Sequence, residues 1–207
     1  DAPIQLAINL ECIPSLIQLL RLPNSALQSD VVWCLTNLAS GTHEETRHVL
    51  DAVPDLLFLI SGEDKSLAEQ ACWAIGNIAG DGDQYRMTMI KNGAVLPIMK
   101  FLFDSVSAVD ERSSVTRSEA AMAQAQTAAW ALSNLSRGST TAAVFLETGM
   151  VPPLVSLIGH PNRELAVEIC ELGAVLLARE STWNWRLRNG RRRRLKLYQE
   201  VEWAGGE

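Results

Sequence analysis

The sequence predicts an all-α fold: a right-handed superhelical solenoid of about four helical repeats, followed by a non-repeat C-terminal tail. Three observations predict it. A Trp-x-x-x-Asn pair recurs at Trp33/Asn37, Trp73/Asn77 and Trp130/Asn134, the first two pairs lying 40 residues apart. A proline with an apolar run precedes each pair, in "IPSLIQLL", "VPDLLFLI" and "LPIMKFL", and returns in "PPLVSLI". No segment alternates polar and apolar residues for long enough to suggest a sheet.

Each unit reads as three helices. In the second, a short helix is expected over Glu44 to Asp51, in "EETRHVLD". A helix of about eight residues follows at Pro54, because the first turn tolerates the missing proline N–H. The longest helix is expected from Ser66 to Ala79, ended by "GDG", where Gly80 and Gly82 are expected in the left-handed conformation. Trp73 and Asn77, one turn apart, then share a face of that helix. The third unit is stretched, with 57 residues from Trp73 to Trp130, and the polar segment at about 104–119 reads as an insertion loop. Its Ser105, Ser107, Ser113, Ser114, Thr116 and Ser118 offer phosphorylation sites on that reading, though a solvated insertion explains it as well. The repeat array is expected over 1–178 and a basic tail over 179–207. Helical units of some 40 residues belong to the armadillo and HEAT class, whose stacks form extended concave surfaces.

Composition narrows the function. The 207 residues are 47% hydrophobic and 20% charged, as in globular proteins. No apolar run approaches the roughly 18 residues of a membrane span, and no secretory leader opens the sequence. Cys12, Cys34, Cys72 and Cys170 are expected as buried, reduced thiols, fitting a cytoplasmic and nuclear location. No CxxC pair occurs and His43, His48 and His160 lack ligand-spaced partners, so no metal and no cofactor are expected. Neither a phosphate-binding glycine loop nor a nucleophile elbow is present, so the chain does not read as an enzyme. Residues 1–178 carry 20 acidic against 10 basic side chains, and residues 179–207 carry 4 against 8. Such an acidic body repels nucleic acid and attracts cationic partners.

An unpaired asparagine amide gains little beside a buried indole, yet the pair suits an extended peptide. A carboxamide both donates to and accepts from a peptide backbone whatever its sequence. Neighbouring indoles flank the aliphatic stem of lysine or arginine, with the charge near a ring face. A carboxylate at the end of such a slot selects a cation, and Asp81 lies four residues beyond Asn77.

The stretches "VVWCLTNLASGTHEET", "AEQACWAIGNIAGDG", "IKNGAVLPIMKFL" and "QTAAWALSNLSRG" resemble the importin alpha (karyopherin alpha) family of nuclear import adaptors, over roughly residues 10–178. The resemblance implies that the groove binds basic nuclear localisation signal peptides of cargo proteins. It implies Trp33, Trp73 and Trp130 as indole walls and Asn37, Asn77 and Asn134 as backbone clamps. Asp81, Thr46 and the Gly41 carbonyl would hold the key lysine, Gln70 would line the slot beside it, and Arg137 would help receive a bipartite signal's linker. The fourth unit departs from the family, with Glu171 and Val175 where Trp and Asn would fall. Importin beta would be engaged only through a basic N-terminal segment that this sequence lacks. Other readings are an armadillo scaffold for a different protein partner and a truncated paralogue that binds cargo without delivering it. Neither nucleic acid nor a membrane is an expected partner. The tail, with "NGRRRRLKL", offers a pseudo-signal for self-association.

Overall fold

A computed structural model describes residues 4–109, 115–138, 144–145, 147–149 and 151–189, with side chains as far as Leu176. Every regular element among the described residues is helical. The first unit holds α1 (Ile4–Asn9), α2 (Cys12–Leu20) and α3 (Ser25–Leu38). The second holds α4 (His43–Arg47), a 3-10 turn (Leu50–Ala52), α5 (Val53–Ile60) and α6 (Lys65–Asp81). The third holds α7 (Asp83–Lys91), α8 (Val95–Ser107) and α9 (Val115–Ser136). The fourth holds α10 (Val151–Ser156), a 3-10 turn (Leu157–Gly159) and α11 (Arg163–Asn189).

Local signals set these boundaries. Asn24 accepts from the Leu27 N–H at 3.1 Å and Asp64 from those of Ser66 and Leu67, each opening a long helix. Thr42 and Glu45 form a reciprocal capping box at α4. Prolines stand in the first turns of the apolar helices, as at Pro54 in α5.

The long helices α3, α6, α9 and α11 pack side by side in that order, and α2, α5 and α8 back them. A helix flanked on both sides must be apolar nearly all round. Accordingly α6 buries Leu67, Ala68, Ala71, Cys72, Ala74, Ile75, Gly76, Ile78 and Ala79. Small residues at Ala121, Ala125, Ala128, Ala129 and Ala131 let α9 approach closely. One apolar core continues from Ile13 to Leu176. This is an all-α armadillo-type solenoid, as the repeat spacing predicts.

Several local expectations need correction. The GDG segment holds no left-handed glycine: α6 runs through Gly80 to Asp81, and Gly82 is extended (φ −178°). Arg86 explains why the helix needs no such turn. Its guanidinium donates to the Gly80 carbonyl at 3.4 Å and to the Asn134 carbonyl at 3.0 Å, satisfying the C-terminal ends of α6 and α9 together. The left-handed stop falls instead at Gly93 (φ 76°), after α7. The short helix expected over Glu44 to Asp51 divides into α4 and the 3-10 turn. Helix also occupies more of 104–119 than a loop reading allows, since α8 reaches Ser107 and α9 begins at Val115. Ser105 is buried, with its hydroxyl on the Phe101 carbonyl at 2.7 Å, and so is no modification site as it stands. Residues 110–114 lie outside the described residues.

Among the cysteines only Cys72 is buried, and burial pushes its thiol far up. Cys12 is half-buried, while Cys34 and Cys170 are exposed on outward faces of their helices. All four are free thiols. Helix α11 continues past residue 178 to Asn189, and "GRRRRLKL" lies outside the described residues.

Candidate peptide-binding groove

The repeat spacing brings the Trp–Asn helices side by side, but their members are not equivalent. Trp33 and Trp73 are 53% and 49% exposed, their rings meeting edge to face at 6.3 Å. Trp130 is half-buried and lies against the α6 backbone. A Cβ added at Gly76 would sit 2.1 Å from Trp130 Cζ3, so the missing side chain at Gly76 makes the seat for this indole. The equivalent residue in α3, three beyond its tryptophan, is Thr36.

The asparagines have a structural task. Asn77 Nδ2 donates to the Thr36 carbonyl at 3.3 Å, and Asn134 Nδ2 to the Gly76 carbonyl at 3.0 Å. Each acceptor is the residue just before the equivalent asparagine of the preceding unit. The pair therefore ties neighbouring long helices together, which explains why an amide is tolerated beside an indole. One donor is used in each, leaving the other N–H and the oxygen. Asn37 is exposed, Asn77 half-buried and Asn134 only 4% exposed, so access falls along the ladder. At Val175 no such donor exists, and the Ser133 carbonyl accepts from the Ser136 hydroxyl instead.

Around Asp81 the structure gathers a different set from the expected one. Thr46 is fully buried, its hydroxyl on the Ala39 carbonyl at 3.4 Å, so it presents no group to a ligand. Gly41 is half-buried in the turn between α3 and α4. Asp81 Oδ2 lies 2.9 Å from His43 Nδ1, a neighbour the sequence reading missed. Gln70 stands eleven residues earlier on α6, about 16 Å along the axis. Its oxygen accepts from the Ser29 hydroxyl at 2.8 Å, close in sequence to Trp73 and away from Asp81.

Between α6, α9 and α11 lies an open pocket of about 720 Å³, lined by Trp73, Trp130, Gln126, Thr127, Arg163, Glu164, Val167 and Glu168. Its indoles were expected; its carboxylates were not. Gln126 donates to Glu164 at 3.0 Å, and the Thr127 hydroxyl donates to Glu69 at 3.2 Å. Glu168 Oε2 is buried with no hydrogen-bond partner. Burial, then the neighbouring Glu171, hold the Glu168 carboxyl above its usual range, and exposed Arg137 opposes them. Burial likewise raises Glu69, while Thr127 opposes it. The signal was available in the sequence: Glu164, Glu168 and Glu171 are spaced by four and three, one helical face beside the tryptophan ladder.

Fold and ladder define the class, an armadillo-type repeat solenoid, and the family model for the armadillo/beta-catenin-like repeat matches residues 1–40 and 42–80. The chain's curated relatives are importin alpha subunits, which bears out the resemblance. Importin subunit alpha-9 of Arabidopsis thaliana is 37% identical over 174 residues, 81% of this chain and 30% of the relative. Importin subunit alpha-2 of the same plant is 30% identical over 171 residues, 81% of this chain and 29% of the relative. Probable importin subunit alpha-A of Dictyostelium discoideum is 31% identical over 176 residues, with shares of 81% and 31%. The chain thus spans about 30% of the length of these relatives. Among solved structures, an engineered protein superposes with a TM-score of 0.71 at 23% identity, covering 84% of this chain and 66% of that one. A designed armadillo repeat protein in complex with the peptide (KR)4 does so with a TM-score of 0.53 at 22% identity, covering 84% and 85%. At these identities the structural matches speak for the fold alone.

Proposed function

We propose that the tryptophan-bearing face binds extended lysine- and arginine-rich peptides of the nuclear localisation signal type, and that the chain serves as a nuclear import adaptor working between cytoplasm and nucleus. The observation that carries this reading is the pocket between Trp73 and Trp130, where a buried Glu168 oxygen has no partner. An unpaired carboxylate oxygen beside two indoles suits a cationic side chain. Its stem lies against the rings, and its charge supplies the missing hydrogen bond. The ladder continues to Trp33, so a peptide laid along it meets a second aromatic slot beside Trp73. The net charge of −10 over residues 1–178 favours approach of the same ligands. The importin alpha relatives support the same class of ligand. No described helix is long and apolar enough to cross a membrane. At the register of the ladder α11 carries Glu171 and Val175 in place of a Trp–Asn pair, so the aromatic ladder in that register ends at Trp130.

Glu168→Gln tests the reading because it separates binding from stability. The raised Glu168 carboxyl makes the folded chain retain a proton that the unfolded chain has released. Stability therefore falls as pH rises from the ordinary glutamate range through the raised folded value, and stays reduced at neutral pH. Glutamine removes that penalty, so the free variant should melt slightly higher at pH 7. A lysine-rich peptide should bind about tenfold more weakly, the equivalent of about 1.4 kcal/mol for one charge-assisted bond. Calorimetric titration and thermal melting on the same samples check both signs, and unchanged affinity would remove Glu168 from the site.

A further inference from the structure

We propose that His43 is a pH-sensitive gate on the Asp81 carboxylate: it holds that carboxylate in the free chain, and a ligand cation must displace it. The inference rests on the groove reading above and deepens it at one position.

The geometry is that of an occupied site. His43 is the first residue of α4, and its Nδ1 lies 2.9 Å from Asp81 Oδ2 at the end of α6. The imidazole stacks on the Tyr85 ring of α7, with centroids 4.4 Å apart and planes 12° from parallel. The Tyr85 hydroxyl donates to the His43 carbonyl, fixing backbone and ring together. A Cβ at Gly82 would lie 3.4 Å from His43 Cε1, an ordinary contact distance, so the ring packs close beside the extended backbone there. The His43 and Asp81 side chains are 51% and 21% exposed, open to solvent and to an arriving cation. Asp81 is therefore already engaged before any ligand arrives.

The surrounding charges define what can titrate. From α6 the ring faces Asp81. From α7 it faces Tyr85, whose phenol is held above its usual range by burial, then by Asp81 and Glu44, against Arg47. Asp83, next on α7, is paired with Arg86. On α4 itself Glu44 lies 3.8 Å from Arg47, and Glu45 is engaged by the Thr42 N–H. Helix α1, which packs against α4, carries no ionisable side chain. Histidine is the group in this set that ordinarily changes charge near neutrality.

A protonated imidazole holds a carboxylate about twice as strongly as a neutral donor does. A lysine or arginine entering the Asp81 site would remove the ring from Oδ2 and stand beside it as a like charge. Capture of the cation is then linked to loss of the His43 proton. Affinity must rise with pH, by at most about tenfold per pH unit for one proton.

The test is fluorescence anisotropy of a labelled lysine-rich peptide titrated with the full chain between about pH 5.5 and about pH 8, spanning the ordinary histidine range. His43→Ala removes the gate, and His43→Gln keeps a donor that does not titrate. The wild type is expected to bind about five- to tenfold more tightly at the upper pH than at the lower. Both variants are expected to show a flattened dependence and, at the lower pH, affinity about fivefold above wild type for His43→Ala. The raised Glu69 and Glu168 carboxyls contribute equally in all three chains, so the difference between chains isolates His43. Circular dichroism confirms that each is folded. If the peptide binds but the variants keep the wild-type slope, the gate is overturned and the groove reading stands. If no chain binds the peptide at about pH 8, the groove reading falls and the gate with it.

Discussion

Replacing Trp73 and Asn77 together by alanine is expected to weaken a lysine-rich peptide about 100- to 1,000-fold, or roughly 3–4 kcal/mol, while leaving the chain helical. Trp73 is the shared wall of two slots: it meets Trp33 edge to face at 6.3 Å and lines the pocket with Trp130. Central aromatic anchors commonly contribute about 2 kcal/mol or more, and a backbone hydrogen bond about 0.5–1.5. The structural loss is smaller. Trp73 is 49% exposed, and Asn77 gives up a single 3.3 Å bond to Thr36, so the stability cost should be about 1–2 kcal/mol. Circular dichroism with an anisotropy titration separates the two effects. A folded double variant with wild-type affinity would leave the aromatic face without its assigned role.

Gly76→Ala is expected to displace Trp130 and to damage both stability and binding. The new methyl would stand 2.1, 2.7 and 2.8 Å from three atoms of the indole, and the ring has to leave its seat. Alanine gains about 1 kcal/mol in helix propensity over glycine, whereas unseating a half-buried indole forfeits about 2–3 kcal/mol of packing. The net expectation is about 1–2 kcal/mol of destabilisation, visible as a lower denaturation midpoint. Moving outward, the ring intrudes on the pocket it now lines, so peptide affinity should fall at least about tenfold, near 1.4 kcal/mol. A more stable Gly76→Ala chain with full affinity would show that Trp130 does not need the Gly76 seat.

The fold was legible because its signals are local and repeated. Proline-started apolar runs and the 40-residue spacing from Trp33 to Trp73 state the helices and their stacking without any knowledge of contacts. The same spacing places the tryptophans in one register. It does not distinguish them: Trp33 stands exposed and Trp130 is half-buried against Gly76 because the residue facing each belongs to a neighbouring helix. Asn77 and Asn134 likewise have half of their chemistry set by carbonyls 41 and 58 residues away. The Gly80–Gly82 segment departs from the expected left-handed turn because its composition cannot reveal Arg86, which reaches across two helix ends. In the sequence His43 stands only as a histidine without ligand-spaced partners. Its pairing with Asp81, 38 residues on, follows from how α4 meets the end of α6.

The central claim is that the tryptophan-bearing face selects extended basic peptides. Its most direct test is calorimetric titration of the chain with two peptides of equal length, one alternating lysine and arginine, the other aspartate and glutamate, at low and high salt. The account predicts saturable one-to-one binding of the basic peptide, weakened several-fold as salt shortens the Debye length from about 10 Å toward about 3 Å, and no binding of the acidic one. Equal affinity for both peptides, or no detectable binding of the basic peptide by the folded chain, would contradict it.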